Sequence, residues 1–162
     1  MMFEITGIQS SEYSEILELN ESEVPHVGRI DLAKMHWFAH NADYFKVIRA
    51  SGHAVAFLIG MRPGSSYQSP NYRWFCKHYN DFAYVDRVAV APAFRRKGLA
   101  SRLYDDFASS QRGECSLMTC EVNLKPPNDD SMQFHARLGF EQAGTLLSER
   151  GAKEVALLVK PL

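Results

Sequence analysis

Hydrophobic and polar positions follow two different periods along this chain of 162 residues. Apolar runs and period-two alternation predict strands, because successive side chains of a strand point to opposite faces. Apolar residues spaced three and four positions apart predict helices instead. The predicted strands cover 2–8, 44–50, 53–61, 82–90, 115–122, 140–147 and 154–161. A first helix is predicted with Ser10 or Ser11 as its cap. Three further helices are predicted over residues 30–40, 98–112 and 128–138.

The order of these elements predicts one α/β or α+β domain over residues 1–162, with helices on the faces of a mixed sheet. A chain of this length buries about 70% of its unfolded surface, which is enough for a core of its own. Ser51 and Gly52 separate two adjacent strands and predict a tight hairpin turn.

The segment 62–81 is predicted as an irregular loop rich in Pro, Gly, Ser and aromatic residues. Connections of this length are usually functional or disordered, and the aromatic residues argue against disorder. These rings either bury the loop against the sheet or form a wall of an acceptor pocket, and both interpretations stay open. The aromatic residues of the loop and of the next strand are Tyr67, Tyr72, Trp74, Phe75, Tyr79, Phe82 and Tyr84.

Composition and charge narrow the class of protein. The formal net charge of −1 provides no general attraction to nucleic acid, so any anion site must be local. Three cysteines without framework spacing favour a reducing compartment. The N-terminal sequence has no signal-peptide pattern, and no apolar run approaches the ~20 residues of a membrane span. We therefore expect a cytoplasmic protein without a membrane partner.

A basic turn follows the strand 82–90. Pro92 interrupts the apolar run, and Arg95, Arg96 and Lys97 precede Gly98 at the start of a predicted helix. The first amide groups of a helix lack intrahelical partners and carry partial positive charge, so this position suits a phosphate group. Neither G-x-G-x-x-G nor G-x-x-x-x-G-K-[ST] is present. The alternative is an ordinary solvated turn.

The six residues Arg95–Ala100, R-R-K-G-L-A, together with the preceding V-A-V-A-P, resemble the acyl-CoA signature of the GNAT superfamily of N-acyltransferases. A second block, residues 121–140, is similar to that family's second signature. The resemblance implies a mostly antiparallel sheet flanked by helices, acetyl-CoA as cosubstrate, and a CoA pyrophosphate held by the turn. The cofactor-binding residues implied are Val88, Ala89, Val90, Arg95, Arg96, Lys97, Gly98, Leu99, Ala100, Ser101, Asn128 and Ser131.

The same resemblance supplies two catalytic candidates. Glu121 corresponds to a strand glutamate that is the base in some members, although a strand-end carboxylate that is only solvated, or that pairs with a cation such as Lys125, would explain it about equally well. Asp86 is the second candidate base, with a local ion pair to Arg87 as its alternative. His135 stands where the family usually has the tyrosine that protonates the leaving thiolate.

A histidine with a pKa of ~6.5 titrates near neutrality, whereas tyrosine does not, so replacing one by the other changes the pH dependence. We interpret His135 as the acid, with packing against the cofactor as the alternative. Helical spacing predicts that Phe134 and Leu138 face the core and that Ser131 and His135 share the cofactor side.

The resemblance implies an N-acetyltransferase that transfers acetyl to a primary amine by direct attack in a ternary complex. The alternative is a GNAT-like acyl-CoA-binding module with weak or no catalysis. The acceptor is a small-molecule or peptide amine, and no nucleic-acid partner is expected. Because GNAT folds often dimerise, a homodimer is compatible with the sequence. His36 and His40 have metal-ligand spacing but no third ligand, so no metal is expected.

Overall fold

The computed structural model describes residues 3–162, and Met2, the first residue of the first predicted strand, lies outside this range. Its strands form one mixed seven-stranded sheet in the order β1-β2-β3-β4-β5-β7-β6, which confirms the α/β class. The pair of β4 and β5 is parallel, and the other registered pairs are antiparallel. The strands are β1 Glu4–Gly7, β2 Tyr44–Ala50, β3 His53–Met61, β4 Ala83–Val90, β5 Leu117–Lys125, β6 Glu141–Ser148 and β7 Lys153–Pro161. The helices are α1 Tyr13–Glu23, α2 Leu32–Asn41, α3 Pro70–His78, α4 Leu99–Gln111 and α5 Asp129–Leu138.

The hairpin between β2 and β3 has the predicted bounds. Ser51 and Gly52 have φ angles of 53° and 80°, as the two-residue turns that match strand twist require. The other strands and the later helices lie within about two to three residues of the predicted ranges, which is the usual uncertainty of element ends.

The prediction of an irregular loop over 62–81 was wrong in its middle, where α3 lies. Ser69 is the N-cap, and its hydroxyl accepts a hydrogen bond from the Tyr72 amide at 3.4 Å. Pro70 occupies the first turn, where its missing N–H removes no helical hydrogen bond. Ser69 and Pro70, which belong to the segment predicted as a loop, therefore start a helix.

The start of the first helix also differs from the prediction. Ser10 and Ser11 lie in a 3₁₀ turn, Ser10–Glu12, and neither hydroxyl caps α1. Instead, the Glu12 carboxylate accepts a hydrogen bond from the Gln9 amide at 3.0 Å. This acid caps the 3₁₀ turn, whose N-cap residue is Gln9, while Glu12 as the N-cap residue of α1 makes no side-chain cap hydrogen bond to that helix.

The chain divides into two compact units. The first contains the residues up to Met61 together with Arg87–Ser110. It carries β1, β2, β3, the second half of β4, and helices α1, α2 and α4, around a core that includes the buried Ile16, Phe38 and Phe107.

The second unit contains Arg62–Asp86 and Gln111–Leu162. It carries the first half of β4, then β5, β6, β7, α3 and α5, around buried rings and aliphatic residues such as Phe75 and Leu157. The single domain over 1–162 stays a prediction. Among residues 3–162, no helix is long and apolar enough to cross a membrane.

Candidate active site

The basic turn of the first unit joins β4 to α4. The Ala91 amide donates to the Val55 carbonyl at 2.8 Å, and a 3₁₀ turn follows at Pro92–Phe94. Arg96 and Gly98 then have φ angles of 62° and 77°. A Cβ at Gly98 would meet nothing within 4 Å, so this glycine is required for its torsion rather than for space.

The turn presents its polar groups at the start of α4. Arg96, Lys97 and Gly98 are exposed, and the first turn of the helix contains no acidic residue. The amides of Leu99, Ala100 and Ser101 belong to the helix start, where intrahelical carbonyl partners do not exist. This combination of amides, positive charge and the helix dipole suits a phosphate group.

Arg95, the first cation of the turn, has partners within the chain. The Arg95 guanidinium donates through Nη2 to the Glu23 carboxylate at the end of α1, and through Nε to the Val90 carbonyl at 3.3 Å. The contact with Glu23 was not anticipated from the sequence, because 72 residues separate Arg95 from Glu23.

The last residues of β4 alternate in burial. The Ala89 side chain is buried, whereas Val88 and Val90 are half-buried. Side chains of Val88 and Val90 therefore share one face of the strand, and Ala89 faces the core of the unit. Any contact of Ala89 with a ligand would be through its backbone.

In the second unit, Glu121 of β5 lies against a tyrosine of β4. The Tyr84 hydroxyl donates to Glu121 at 2.9 Å from Oε1 and 2.8 Å from Oε2. Tyr84 is fully buried, and burial raises its pKa well above the ordinary value, with the Glu121 and Asp86 carboxylates raising it further. The phenol therefore stays protonated and acts as a donor to the carboxylate.

The register of the sheet explains this contact. Tyr84 is opposite Thr119 in the parallel pairing of β4 with β5, and Glu121 follows two residues later on the same face. Lys125, the cation weighed as an alternative partner of Glu121, has its Nζ donating to the Gly151 carbonyl at 3.0 Å. Tyr84 was grouped with the aromatic residues in the sequence, and its spacing from Asp86 is the signal that places both on one face of β4.

Asp86 also accepts from a tyrosine of its own unit. The Tyr67 hydroxyl donates to Asp86 Oδ1 at 2.7 Å. The neighbouring Arg87 lies in the first unit, where its Nη1 donates to Asn20 Oδ1 at 3.0 Å and to the Gly28 carbonyl at 2.8 Å. Both candidate bases are thus hydrogen-bonded by buried tyrosines.

Helix α5 begins with Asn128 as its N-cap, whose side-chain oxygen accepts from the Ser131 amide at 3.3 Å. His135 is buried, and its Nδ1 lies 2.7 Å from the Ser131 carbonyl. A carbonyl can only accept, so this contact is a hydrogen bond in the tautomer with the proton on Nδ1, and the Ser131 hydroxyl also lies 3.3 Å from Nδ1. Burial lowers the pKa of His135, and the hydrogen bond to Ser131 opposes this only in part.

On α5 the buried side chain is that of His135, whereas Phe134 and Leu138, which were predicted to face the core, are half-buried. Its imidazole packs edge to face against Phe134 and Phe140, with ring centroids 5.1 and 5.3 Å away. Helical spacing alone missed this because a histidine occupies the position expected for an apolar side chain.

Most of the aromatic cluster packs in the core of the second unit. Tyr72 lies with its ring centroid 5.5 Å from Tyr84, and its hydroxyl donates to the Arg62 carbonyl at 2.7 Å. This supports the packing interpretation for the buried members, which are Tyr67, Tyr72, Phe75, Phe82 and Tyr84.

No group of three His, Cys, Asp or Glu side chains that could hold a metal ion occurs within residues 3–162. His40, one of the two histidines with metal-ligand spacing, has its Nδ1 2.8 Å from the His36 carbonyl.

Comparison with solved structures shows the fold. Ard1 from Thermoplasma volcanium has a TM-score of 0.79 and 18% sequence identity, covering 99% of this chain and 97% of that chain. Arabidopsis thaliana Naa50, in complex with the bisubstrate analogue CoA-Ac-MVNAL, has a TM-score of 0.74 and 13% identity, covering 99% of both chains.

Comparison of sequences shows the family. A phosphinothricin N-acetyltransferase of Streptomyces viridochromogenes is 30% identical over 92 residues, which are 57% of this chain and 48% of the relative. The chain therefore spans about half the length of this curated relative. The family model described as "Acetyltransferase (GNAT) family" matches residues 9–140, which include the basic turn and the second signature. The chain belongs to the GNAT family of acetyltransferases.

Proposed function

We propose that this protein is an acetyl-CoA-dependent N-acetyltransferase that acetylates a primary amine by direct attack in a ternary complex. The observation that carries the proposal is the turn Arg95–Ser101, which in this GNAT-family chain offers helix amides, exposed cations and a glycine with positive φ. Acetyl-CoA would supply the acetyl group as an activated thioester.

The turn would hold the pyrophosphate of the cosubstrate. The amides of Leu99, Ala100 and Ser101 would donate to phosphate oxygens, with Arg95, Arg96 and Lys97 adding charge-assisted contacts and Gly98 permitting the backbone path. The backbone of Val88, Ala89 and Val90 would run beside the pantetheine arm. Asn128 and Ser131 would contribute from the start of α5.

Glu121 is the proposed base. The acceptor amine must lose a proton to attack, and a carboxylate held in place can accept that proton. The Tyr84 hydroxyl reaches both oxygens of Glu121, so it fixes the orientation of the carboxylate. Asp86, oriented by Tyr67, remains the second candidate for this role.

His135 is the proposed acid for the departing thiolate. In the neutral tautomer with the proton on Nδ1 toward Ser131, Nε2 has no proton, so only the imidazolium has one to give from Nε2. Burial lowers the pKa of His135, which reduces the protonated fraction at neutral pH. The same observation favours the second candidate function, a GNAT-like acyl-CoA-binding module with weak or no catalysis.

The acceptor is proposed to be the amine of a small molecule or a peptide. One relative is named for phosphinothricin, and one structural neighbour was solved with a CoA-peptide analogue. We propose a cytoplasmic protein without nucleic-acid or membrane partners, and a homodimer is compatible with the family.

A thermal-shift experiment tests the cofactor assignment. Acetyl-CoA at about 100 times its Kd should stabilise the fold by ~2.7 kcal/mol. At ~2–4 °C per kcal/mol, the expected rise in Tm is about 5–11 °C. Gly98→Ala should abolish most of this rise, because alanine strains a φ of 77°.

Gly113→Ala is the matched control. Gly113 also has a positive φ, 88°, and a Cβ there would also meet nothing within 4 Å, but it lies outside the turn. Its Tm should fall while the rise caused by acetyl-CoA is retained. Absence of a shift in the wild type would overturn the proposal, and release of free thiol over a panel of amines would separate the enzyme from the binding module.

A further inference from the structure

We propose that Glu23 is a positioning residue that holds the Arg95 guanidinium ready for the cofactor pyrophosphate; this inference rests on the proposed function. Glu23 is the last residue of α1, far from the GNAT signature in sequence. Its carboxylate Oε1 accepts from Arg95 Nη2, and the Val90 carbonyl accepts from Arg95 Nε. Two groups of the chain, the Glu23 carboxylate and the Val90 carbonyl, therefore hold one guanidinium.

The position of Glu23 is unfavourable for helix stability alone. The last turn of α1 contains no basic residue, and a carboxylate at a helix C-terminus opposes the helix dipole. The backbone of Glu23 is also fixed, because its carbonyl accepts from the His26 amide at 2.7 Å. An acid in this rigid place is accounted for by its contact with Arg95.

The contacts of the Arg95 guanidinium leave some of its N–H donors available for an anion. A guanidinium has five N–H groups, and the contacts with Val90 and Glu23 use two of them. The Arg95 side chain is 46% exposed and the Glu23 side chain 22%, so the acid is the more enclosed partner and the arginine still faces solvent. Glu23 and a phosphate group can therefore bind the same guanidinium together.

Holding a long side chain in advance improves affinity, because binding then loses less rotamer freedom. Immobilising one such side chain changes Kd by about 2- to 12-fold. An exposed ion pair contributes little to folding stability, so removing the Glu23 charge should leave the fold intact.

The test measures acetyl-CoA binding by calorimetry for wild type, Glu23→Gln, Arg95→Ala and the double variant. Glu23→Gln should raise Kd about 2- to 12-fold. The same substitution should have no further effect in the Arg95→Ala background, because the residue it positions is absent. The KM for acetyl-CoA should rise with Kd, and kcat at saturating acetyl-CoA should stay unchanged.

Glu21→Gln is the matched control. Glu21 lies on the same helix and also pairs with an arginine, Arg29, at 3.5 Å, but this pair does not involve the turn. Its Kd should equal that of the wild type. An unchanged or tighter Kd for Glu23→Gln, or an equal loss in the Arg95→Ala background, would overturn the inference. These outcomes would not overturn the proposed function. The proposed function stands as long as the wild type binds acetyl-CoA and Gly98→Ala does not.

Discussion

Gly60 and Phe107 provide a stringent test of how α4 packs on the sheet within the first unit. A Cβ at Gly60 of β3 would lie 2.5 Å from Phe107 Cζ and 2.6 Å from Cε2. Carbon atoms pack without repulsion at about 3.5–4.0 Å, so Gly60→Ala requires a displacement of ~1 Å. The ring of Phe107 is fully buried, with the Tyr44 ring centroid 4.7 Å away, so it has little room to move.

The magnitude follows from two opposing terms. Overpacking of this kind costs ~2–3 kcal/mol, at the upper part of the usual range. Replacing glycine by alanine returns ~0.4–1 kcal/mol by restricting the unfolded chain. We expect the free energy of unfolding to fall by roughly 1–2.5 kcal/mol, which lowers Tm by about 2–10 °C. Urea denaturation followed by circular dichroism measures the free energy of unfolding, and a thermal melt followed by the same signal measures Tm.

Two further variants isolate the steric cause. Gly7→Ala on β1 is the matched control, because a Cβ there would meet nothing within 4 Å, and its stability should be unchanged or slightly higher. Phe107→Leu removes the atoms that clash, so Gly60→Ala should cost less in that background than in wild type. An equal cost in both backgrounds would refute the steric explanation.

Three other outcomes are expected. Glu121→Gln should lower kcat by ~10²–10⁴-fold with Tm nearly unchanged, since the amide oxygen still accepts from Tyr84; an unchanged kcat would favour Asp86 as the base. His135→Ala should lower kcat while the Kd for acetyl-CoA is retained, and a wild-type kcat in this variant would exclude His135 as the acid. Burial alone would raise the pKa of Asp106, but hydrogen bonds from Lys46 and Tyr44 lower it, so its contribution to stability is present above the unfolded carboxyl pKa and is lost as pH falls through the lowered value. Urea midpoints between pH 5 and pH 3 should therefore fall less for Asp106→Asn than for wild type, and Asp105→Asn, at the exposed neighbouring position, should behave as wild type.

Local patterns predicted most of the fold. The bounds of the hairpin of β2 and β3 could be predicted because two apolar runs are separated by Ser51-Gly52. In the structure, these two residues have the positive φ angles of a tight turn. The start of α5 was also accessible, since Asn128 stands at the N-cap before two acidic residues of the first turn. In both cases, the residues that decide the structure are neighbours in sequence.

The predictions for α3 and α5 were wrong where the same residues are compatible with two different structures. Ser69-Pro70 suits a loop and also a helix start, and the burial of Phe75 and Tyr72 against the sheet decides for α3. On α5, spacing predicted that Phe134 and Leu138 face the core, but the buried side chain is that of His135, whose Nδ1 lies 2.7 Å from the Ser131 carbonyl. Tertiary packing, which no local pattern contains, selected the outcome.

The candidate site likewise contains features that depend on consecutive residues and features that depend on residues distant in sequence. The turn could be located from the sequence because its chemistry depends on consecutive residues, from Arg95 to Ser101, at one helix start. The partners of the reactive groups could not, since Tyr84 meets Glu121 across the sheet and Glu23 meets Arg95 from the end of another helix. A carboxylate becomes a useful base, and an arginine a prepared phosphate ligand, only when a second group fixes it. The side chains that contact the candidate site residues, Tyr84, Tyr67 and Glu23, therefore come from other parts of the chain than the turn itself.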